Sequence, residues 1–433
     1  MLSRFIAAAV LCAAPVTVLA QSVDTLDLPR AVALARAANP MLAARHAEVR
    51  AAGARIRPAG ALSDPTLTLG AMNYMLPGLS PRGDPMTMNQ ITLMQMVPVN
   101  GTLGLRRGVA RADSARFAWA AEAAALEVEA AVRTQYWALY HDDRALEIMA
   151  RRRTVLQEIA TVATTMYSTG AATQSDALRA QVAITRLAQE VAGMQQERYA
   201  AASALNALLG RPGQTPIALP EADAHEHGVM MHTLDMPEPP PLESLIATAD
   251  GHNPDVLAAA ARVTGGRSNA AAVRRSLIPD LGIGVAYGQR AGMGDMLSLM
   301  VSVNVPVFAA SRQLRERDEA GAMLDAATWE ETAVRVQVHA ALATARQQAM
   351  TARRLVTLYA GTLVPQAAAA YEAALAAYRV GRVDFATLFD AQTMLLEYEH
   401  DLHNDEAMYG TAVAELDRLT GRRFDAGSAG REN

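Results

Sequence analysis

Most of this sequence is written twice, and both copies break in the same place. YSTGAATQSDALRAQ (167–181) and YRVGRVDFATLFDAQ (378–392) each interrupt a long Ala-rich helical pattern, and Tyr167, Gly170 and Gln181 stand 211 residues before Tyr378, Gly381 and Gln392. The openings of the two halves match at another offset: Asn39-Pro40, Pro65 and Gly70 stand 214 residues before Asn253-Pro254, Pro279 and Gly284. VPV recurs at 97–99 and 305–307, and Gly210 of LLGRP matches Gly421 of RLTGRR. A duplicated chain must fold into two similar units whose faces are compatible with each other. The boundaries expected are a leader at 1–20, a first repeat at 21–212, a Pro-, His- and Met-rich linker at 213–241, a second repeat at 242–423 and a tail at 424–433.

The leader, MLSRFIAAAVLCAAPVTVLAQ, has Arg4, an apolar stretch and Val18-Leu19-Ala20 before Gln21, the pattern of a secretory signal peptide cut after Ala20. Cys12, the single cysteine of the 433 residues, lies inside it, and Leu11 is a poor residue for a lipoprotein cleavage site. The mature chain therefore has no disulfide and no thiolate chemistry. Nothing after the leader offers about 18 consecutive apolar residues, so no transmembrane helix is expected. A net charge of -5 and the absence of an Arg cluster with interleaved aromatics argue against nucleic acid as a partner.

Each half reads as a helix, two strands and two long helices. Alternation marks the strands: Leu297, Leu299, Val301, Val303 and Val305 share one face, while Ser298, Met300, Ser302 and Asn304 share the other. Leu281, Ile283, Val285 and Tyr287 do the same against three glycines and Ala286. Strands of about ten residues suit a tilted bilayer span. From about Thr102 to Tyr167 there is no proline, and a helix of that length runs on the order of 100 Å. The second copy, from about Ser311 to Tyr378, contains Pro365, where a kink or restart is expected. Abundant Ala between recurrent apolar positions favours close coiled packing.

The repeated break has a physical reading. Gly170 and Gly381 suit the left-handed residue that ends a helix. Thr173 and Asp384, three residues on, suit an N-cap, and Thr173 to Asp176 has capping-box spacing. Each break is therefore a tight reversal between antiparallel helices, and both reversals point away from the strands.

The doubled L-x-x-A…N-P opening, the paired strands and the two Y-x-x-G…A-Q hairpins resemble the TolC-like outer-membrane efflux proteins over roughly residues 25–423. The resemblance implies a mainly helical protomer with a small β part, three protomers giving four strands each to a 12-stranded outer-membrane β-barrel in lipid, and a periplasmic α-barrel of long helical hairpins. It implies a homotrimer acting as a passive duct, with no cofactor and no catalysis, that works with a periplasmic adaptor and an inner-membrane pump of the RND type. Ser168, Thr169, Gly170, Ala171, Arg379, Val380, Gly381 and Arg382 fall where the family's tips contact the adaptor. Asp176, Tyr378 and Asp390 fall where members keep gate residues. Thr387 stands where a second acidic ring residue would be, and Val383 where a latching Arg would be, with Arg382 adjacent.

Cargo is read from softer signals. His225, His227, Met230, Met231, His232 and Met236 crowd the linker, and Met and His are ligands for copper(I), silver, zinc, cobalt or nickel. If Ile91 and Leu93 face lipid, Met94 and Met96 face the lumen. These residues, together with DPMTMNQ, resemble the family's heavy-metal efflux branch. A multidrug or type I secretion channel would share every structural feature, whereas a periplasmic coiled-coil adaptor or scaffold would lack the lipid-facing strands. No G-x-S-x-G, P-loop or helical His-x-x-x-His zinc motif is present, and VTGGRS (263–268) reads as a helix irregularity rather than a phosphate cradle.

Overall fold

A computed structural model describes residues 25–170, 173–220 and 236–422. The leader, Ala171, the tail and linker residues His225, His227, Met230, Met231 and His232 lie outside the described residues. The first half contains α1 (Leu28–Ala38), α2 (Pro40–Ala54), α3 (Ile56–Ala59), β1 (Thr66–Met72), β2 (Met88–Val97), α4 (Thr102–Ser168) and α5 (Gln174–Leu208). The second contains α6 (Leu242–His252), α7 (Pro254–Arg275), β3 (Leu281–Gln289), β4 (Met296–Val303), α8 (Gln313–Leu358), a π-helical turn (Tyr359–Leu363), α9 (Val364–Arg379) and α10 (Phe385–Thr420).

The opening helix expected in each half is broken in two at the Asn-Pro pair, and the break closes the repeat. Asn39 Oδ1 accepts from Met41 N at 2.9 Å, while its Nδ2 donates to the Leu208 carbonyl at 2.9 Å, at the end of α5. Asn253 does the same: its Oδ1 accepts from Asp255 N and Val256 N, and its Nδ2 donates to the Leu419 carbonyl at 2.8 Å. Pro at the first helical position needs no N–H and supplies a preset φ. Two residues after those carbonyls, Gly210 and Gly421 take φ of 67° and 72°. A Cβ at Gly210 would lie 2.8 Å from the Ala38 carbonyl oxygen, and one at Gly421 would overlap the His252 carbonyl. Glycine is required there twice over, for handedness and for room.

The long helices pack by coiled-coil spacing. Val338, Leu342, Ala345, Ala349, Ala352 and Val356 are buried along α8 at alternating steps of four and three. The α4 helix runs 67 residues without interruption. The restart expected at Pro365 comes through a π turn: α8 ends at Leu358, the chain widens over Tyr359–Leu363, and α9 begins at Val364, whose N donates to the Tyr359 carbonyl, with Pro365 in its first turn. This relieves the clash a proline ring makes with the carbonyl four residues back. The Gly265-Gly266 pair is not an irregularity. It lies inside continuous α7, where added Cβ atoms would come within 3.3 Å of Ala112 on α4 and Leu324 on α8. The pair lets α7 pack closely against both.

The four strands form one antiparallel sheet in the order β1-β2-β3-β4. The register aligns Leu67, Leu93, Val285 and Leu299 in one row and Leu69, Ile91, Tyr287 and Leu297 in the next. All eight side chains are exposed, Leu299 to 80%. Strand lengths run from 7 to 10 residues. β1 is shorter than expected because Pro65 precedes it and Asn73 turns the chain at φ 56°. Among the described residues no helix is long and apolar enough to cross a membrane.

Two glycine classes separate here. Gly381 has φ of 70° but open space at its Cβ position, so alanine there meets only backbone strain, about 1–2 kcal/mol. Gly421→Ala meets the same strain and also the His252 carbonyl, so its thermal midpoint falls further than that of Gly381→Ala. Asn253→Ala, which removes an N-cap and a buried carbonyl's partner together, costs about 1–3 kcal/mol by the same assay.

Candidate functional site

Three regions carry chemistry: the hairpin tips, the helical seam above them and the second face of the sheet. At the tips, Gly170 and Gly381 take φ of 76° and 70°, as the break pattern predicts. Thr173 and Asp176 form the capping box, with Asp176 N donating to Thr173 Oγ1 at 3.3 Å and Thr173 N donating to Asp176 Oδ2 at 3.2 Å. Asp384 caps α10, accepting from Thr387 N at 2.9 Å and Thr387 Oγ1 at 2.6 Å. Those two bonds hold the Asp384 carboxyl below its ordinary range. Ser168, Thr169 and Gly170 are exposed, as are Arg379, Val380, Gly381 and Arg382.

The two hairpins end together. Ile159 and Ala180 of the first pack with Tyr378, Phe385 and Leu388 of the second. Of the expected gate residues, Tyr378 is only 4% exposed and lies edge-on to Phe385, with centroids 6.5 Å apart. Its hydroxyl is buried and meets no hydrogen-bond partner among the described residues. Burial, and then the Asp176 charge, push that hydroxyl's pKa up. Tyr378 and Asp176 are thus brought near each other. Asp390 is exposed instead, on a groove of about 940 Å³ between α5 and α10 that also presents Arg152, Arg179, Arg186 and Glu397. Thr387 is committed to the Asp384 cap, and Arg382 is exposed at the tip.

The α4–α10 seam holds groups that sequence spacing does not reveal. Arg133 pairs with Asp417, Tyr140 donates to Glu406 Oε2 at 2.9 Å, and Arg151 pairs with Glu399 at 2.7 Å. Trp137 lies directly over Gly410, where any side chain would overlap its ring. His141 and His400 meet with ring centroids 4.9 Å apart, although 259 residues separate them. Burial first, then His141, hold the His400 ring below the ordinary imidazole range. On the α8 side of α10, burial and then Asp401 push the Asp405 carboxyl up to about 6.

The sheet's second face is a mixture of small polar residues and thioethers. Thr68, Thr92, Ala286 and Ser298 form one row, and Thr66, Met94, Gly284 and Met300 the next. Added Cβ atoms at Gly282, Gly284 and Gly288 would meet Met96 Sδ at 2.9 Å, Met300 Cε at 3.4 Å and Met88 Sδ at 2.6 Å, so thioethers cover the β3 glycines. Met94 and Met96 do stand opposite Leu93 and Ile91. Of the six linker candidates only Met236 is described. Its side chain packs against the cluster of Val356 and Leu402, and its carbonyl accepts from Arg353 Nε at 2.9 Å.

The sequence matches the outer membrane efflux protein family over residues 31–211 and 245–422, and the chain belongs to that family. The two matched stretches correspond to the two copies of the duplication. The fold is that of known channels. The outer membrane protein VceC of Vibrio cholerae superposes with a TM-score of 0.74 at 17% identity, over 92% of this chain and 97% of that one. CusC, described in terms of transmembrane channel formation, gives 0.73 at 16% identity over 91% and 92%. The MtrE channel of Neisseria gonorrhoeae, in its open state, gives 0.71 at 16% identity over 91% and 89%. A comparison with curated proteins finds no significant match. The chain is an outer-membrane efflux channel protein with a periplasmic helical part, a passive conduit and not an enzyme.

The Asp405 environment yields a test with a definite sign. A carboxyl whose folded pKa exceeds its unfolded value of about 3.9 binds more protons in the folded state. The stability that this carboxyl contributes is therefore full below about pH 4 and is lost as pH rises through about 6. Asp405→Asn gains on the order of 1 kcal/mol over the parent at pH 8, after allowance for solvent screening, and gains nothing at pH 4. Thermal unfolding at the two pH values measures both.

Proposed function

We propose that three copies of the chain close their sheets edge to edge into a twelve-stranded barrel and form the exit duct of a tripartite efflux system, with heavy-metal cations as cargo. The observation that carries this is the sheet. Its outward rows are apolar and exposed, its second face is polar and Met-rich, and β1 and β4 are unpaired edges among the described residues. In hydrocarbon an unpaired strand edge costs several kcal/mol for each backbone group, so such a sheet must close on other copies. Twelve strands is an even number within the range of outer-membrane barrels.

The exposed tips, Ser168–Gly170 and Arg379–Arg382, with Ala171 between Gly170 and the Thr173 cap, are the docking points for a periplasmic adaptor coupled to an RND-type pump. Asp390 of each protomer contributes to a carboxylate ring at the narrow end, a geometry that favours cations. Tyr378, buried beside Asp176, holds the closed arrangement, and Arg382 and Thr387 flank it. Metal cargo is supported by the thioethers of Met88, Met94, Met96 and Met300, soft ligands on the face that becomes the lumen. The linker adds imidazoles at His225, His227 and His232 and thioethers at Met230 and Met231, with Met236 at their boundary.

A resistance profile tests this reading. Cells lacking the chain become sensitive to copper, silver, zinc, cobalt or cadmium, and the intact chain restores resistance. A chain with the linker His and Met residues replaced restores it less well. Sensitivity confined to drugs and detergents contradicts metal cargo and leaves a general efflux duct. Gly381→Pro abolishes rescue, because the reversal needs positive φ that proline forbids; full rescue by that variant contradicts the docking role of the second tip.

A further inference from the structure

Midway along the helical seam, α4 and α10 bring two imidazoles together in a way that packing alone does not require. His141 Nδ1 lies 3.2 Å from Asp142 Oδ1, and Asp142 is itself buried. That carboxylate favours the Nδ1–H tautomer and leaves a lone pair on Nε2. His141 Nε2 and His400 Nδ1 are both fully shielded from solvent, and neither meets a hydrogen-bond partner among the described residues. Two shielded ring nitrogens without partners in one spot are costly unless something bridges them.

We propose that His141 and His400 bind a borderline divalent cation of the Zn²⁺ class, one per protomer, that pins α4 to α10. Two imidazoles sharing a tetrahedral ion at about 2.0–2.1 Å per bond have ring centroids about 5 Å apart; the observed separation is 4.9 Å. The carboxylate on the far nitrogen of His141 is the arrangement that orients metal-ligating histidines and raises their basicity. His141 and Asp142 border an open groove of about 570 Å³ between α4, α8 and α10, so an ion reaches the shielded nitrogens when the His141 ring turns toward that groove. Among the described residues no third His, Cys, Asp or Glu joins the pair in a metal-holding group, so the two imidazoles are the protein's ligands. The site is therefore exchangeable, unlike a closed structural zinc site. It is independent of the cargo: a drug or protein duct would carry it equally well.

The test uses the full chain purified in detergent, with His225, His227 and His232 replaced by serine so that the linker cannot contribute. Zn²⁺ alone is titrated by calorimetry. One saturable site per protomer is expected, lost in His400→Gln and in His141→Gln. Asp142→Asn keeps the stoichiometry and weakens affinity by about 10–100-fold, the usual cost of losing a carboxylate behind a ligating His. Co²⁺ bound to the same parent gives a visible absorption band that both histidine variants lack. Equal thermal midpoints without metal show that the variants are folded. No saturable binding in the parent, or binding unchanged in either histidine variant, overturns the proposal and leaves a bridging water between the rings.

Discussion

Backbone amides at the two edges of a four-stranded sheet impose the strongest constraint on this molecule. The outward rows Leu67-Leu93-Val285-Leu299 and Leu69-Ile91-Tyr287-Leu297 are suited to hydrocarbon and poorly suited to water. Hydrocarbon, however, offers no hydrogen bonds to the free sides of β1 and β4. A sheet with that face is stable only where its edges are paired by other strands. The duplication meets half of this requirement, since each copy supplies one hairpin and the β2–β3 register joins them. On the second face the glycines of β3 leave room for Met88, Met96 and Met300, whose thioethers lie over them.

Below the sheet the two halves are closed by the same device. The closing devices Asn39 with Gly210, and Asn253 with Gly421, tie the end of each returning helix to the start of its own repeat. Because both ties use the same geometry, the two halves present similar lengths of helix and end in reversals at one level. The interruption before Pro365 adjusts one of the four long segments without breaking it, and Trp137 over Gly410 keeps α4 and α10 close. Charged pairs, Arg133 with Asp417 and Arg151 with Glu399, bridge the seam.

Much of this was legible in the sequence because it rests on local rules. Gly170, Gly381, Thr173 and Asp384 behave as helix-ending and helix-starting residues wherever they occur, and strand alternation assigns faces without reference to the rest of the chain. The Asn-Pro motif was visible as a repeat, but its meaning was not: the partner carbonyls lie 169 and 166 residues away. The same limit hid His141 and His400, which no spacing rule connects, and Gly410, whose role depends on a tryptophan from another helix. Tyr378 stands beside the reversal by its place in the sequence, whereas its burial in its own protomer's core follows from the packing of both hairpins together. Pro365 marks a helix restart by its own chemistry, whereas the π turn that precedes it has no signature in the sequence.

The mass of the detergent-purified particle tests the central claim most directly. Native mass spectrometry after removal of the micelle should give three chains per particle, the stoichiometry of the proposed twelve-stranded barrel with four strands from each copy. A monomer that keeps its sheet in detergent, or a chain that stays soluble without detergent, would contradict the closed barrel and the account built on it.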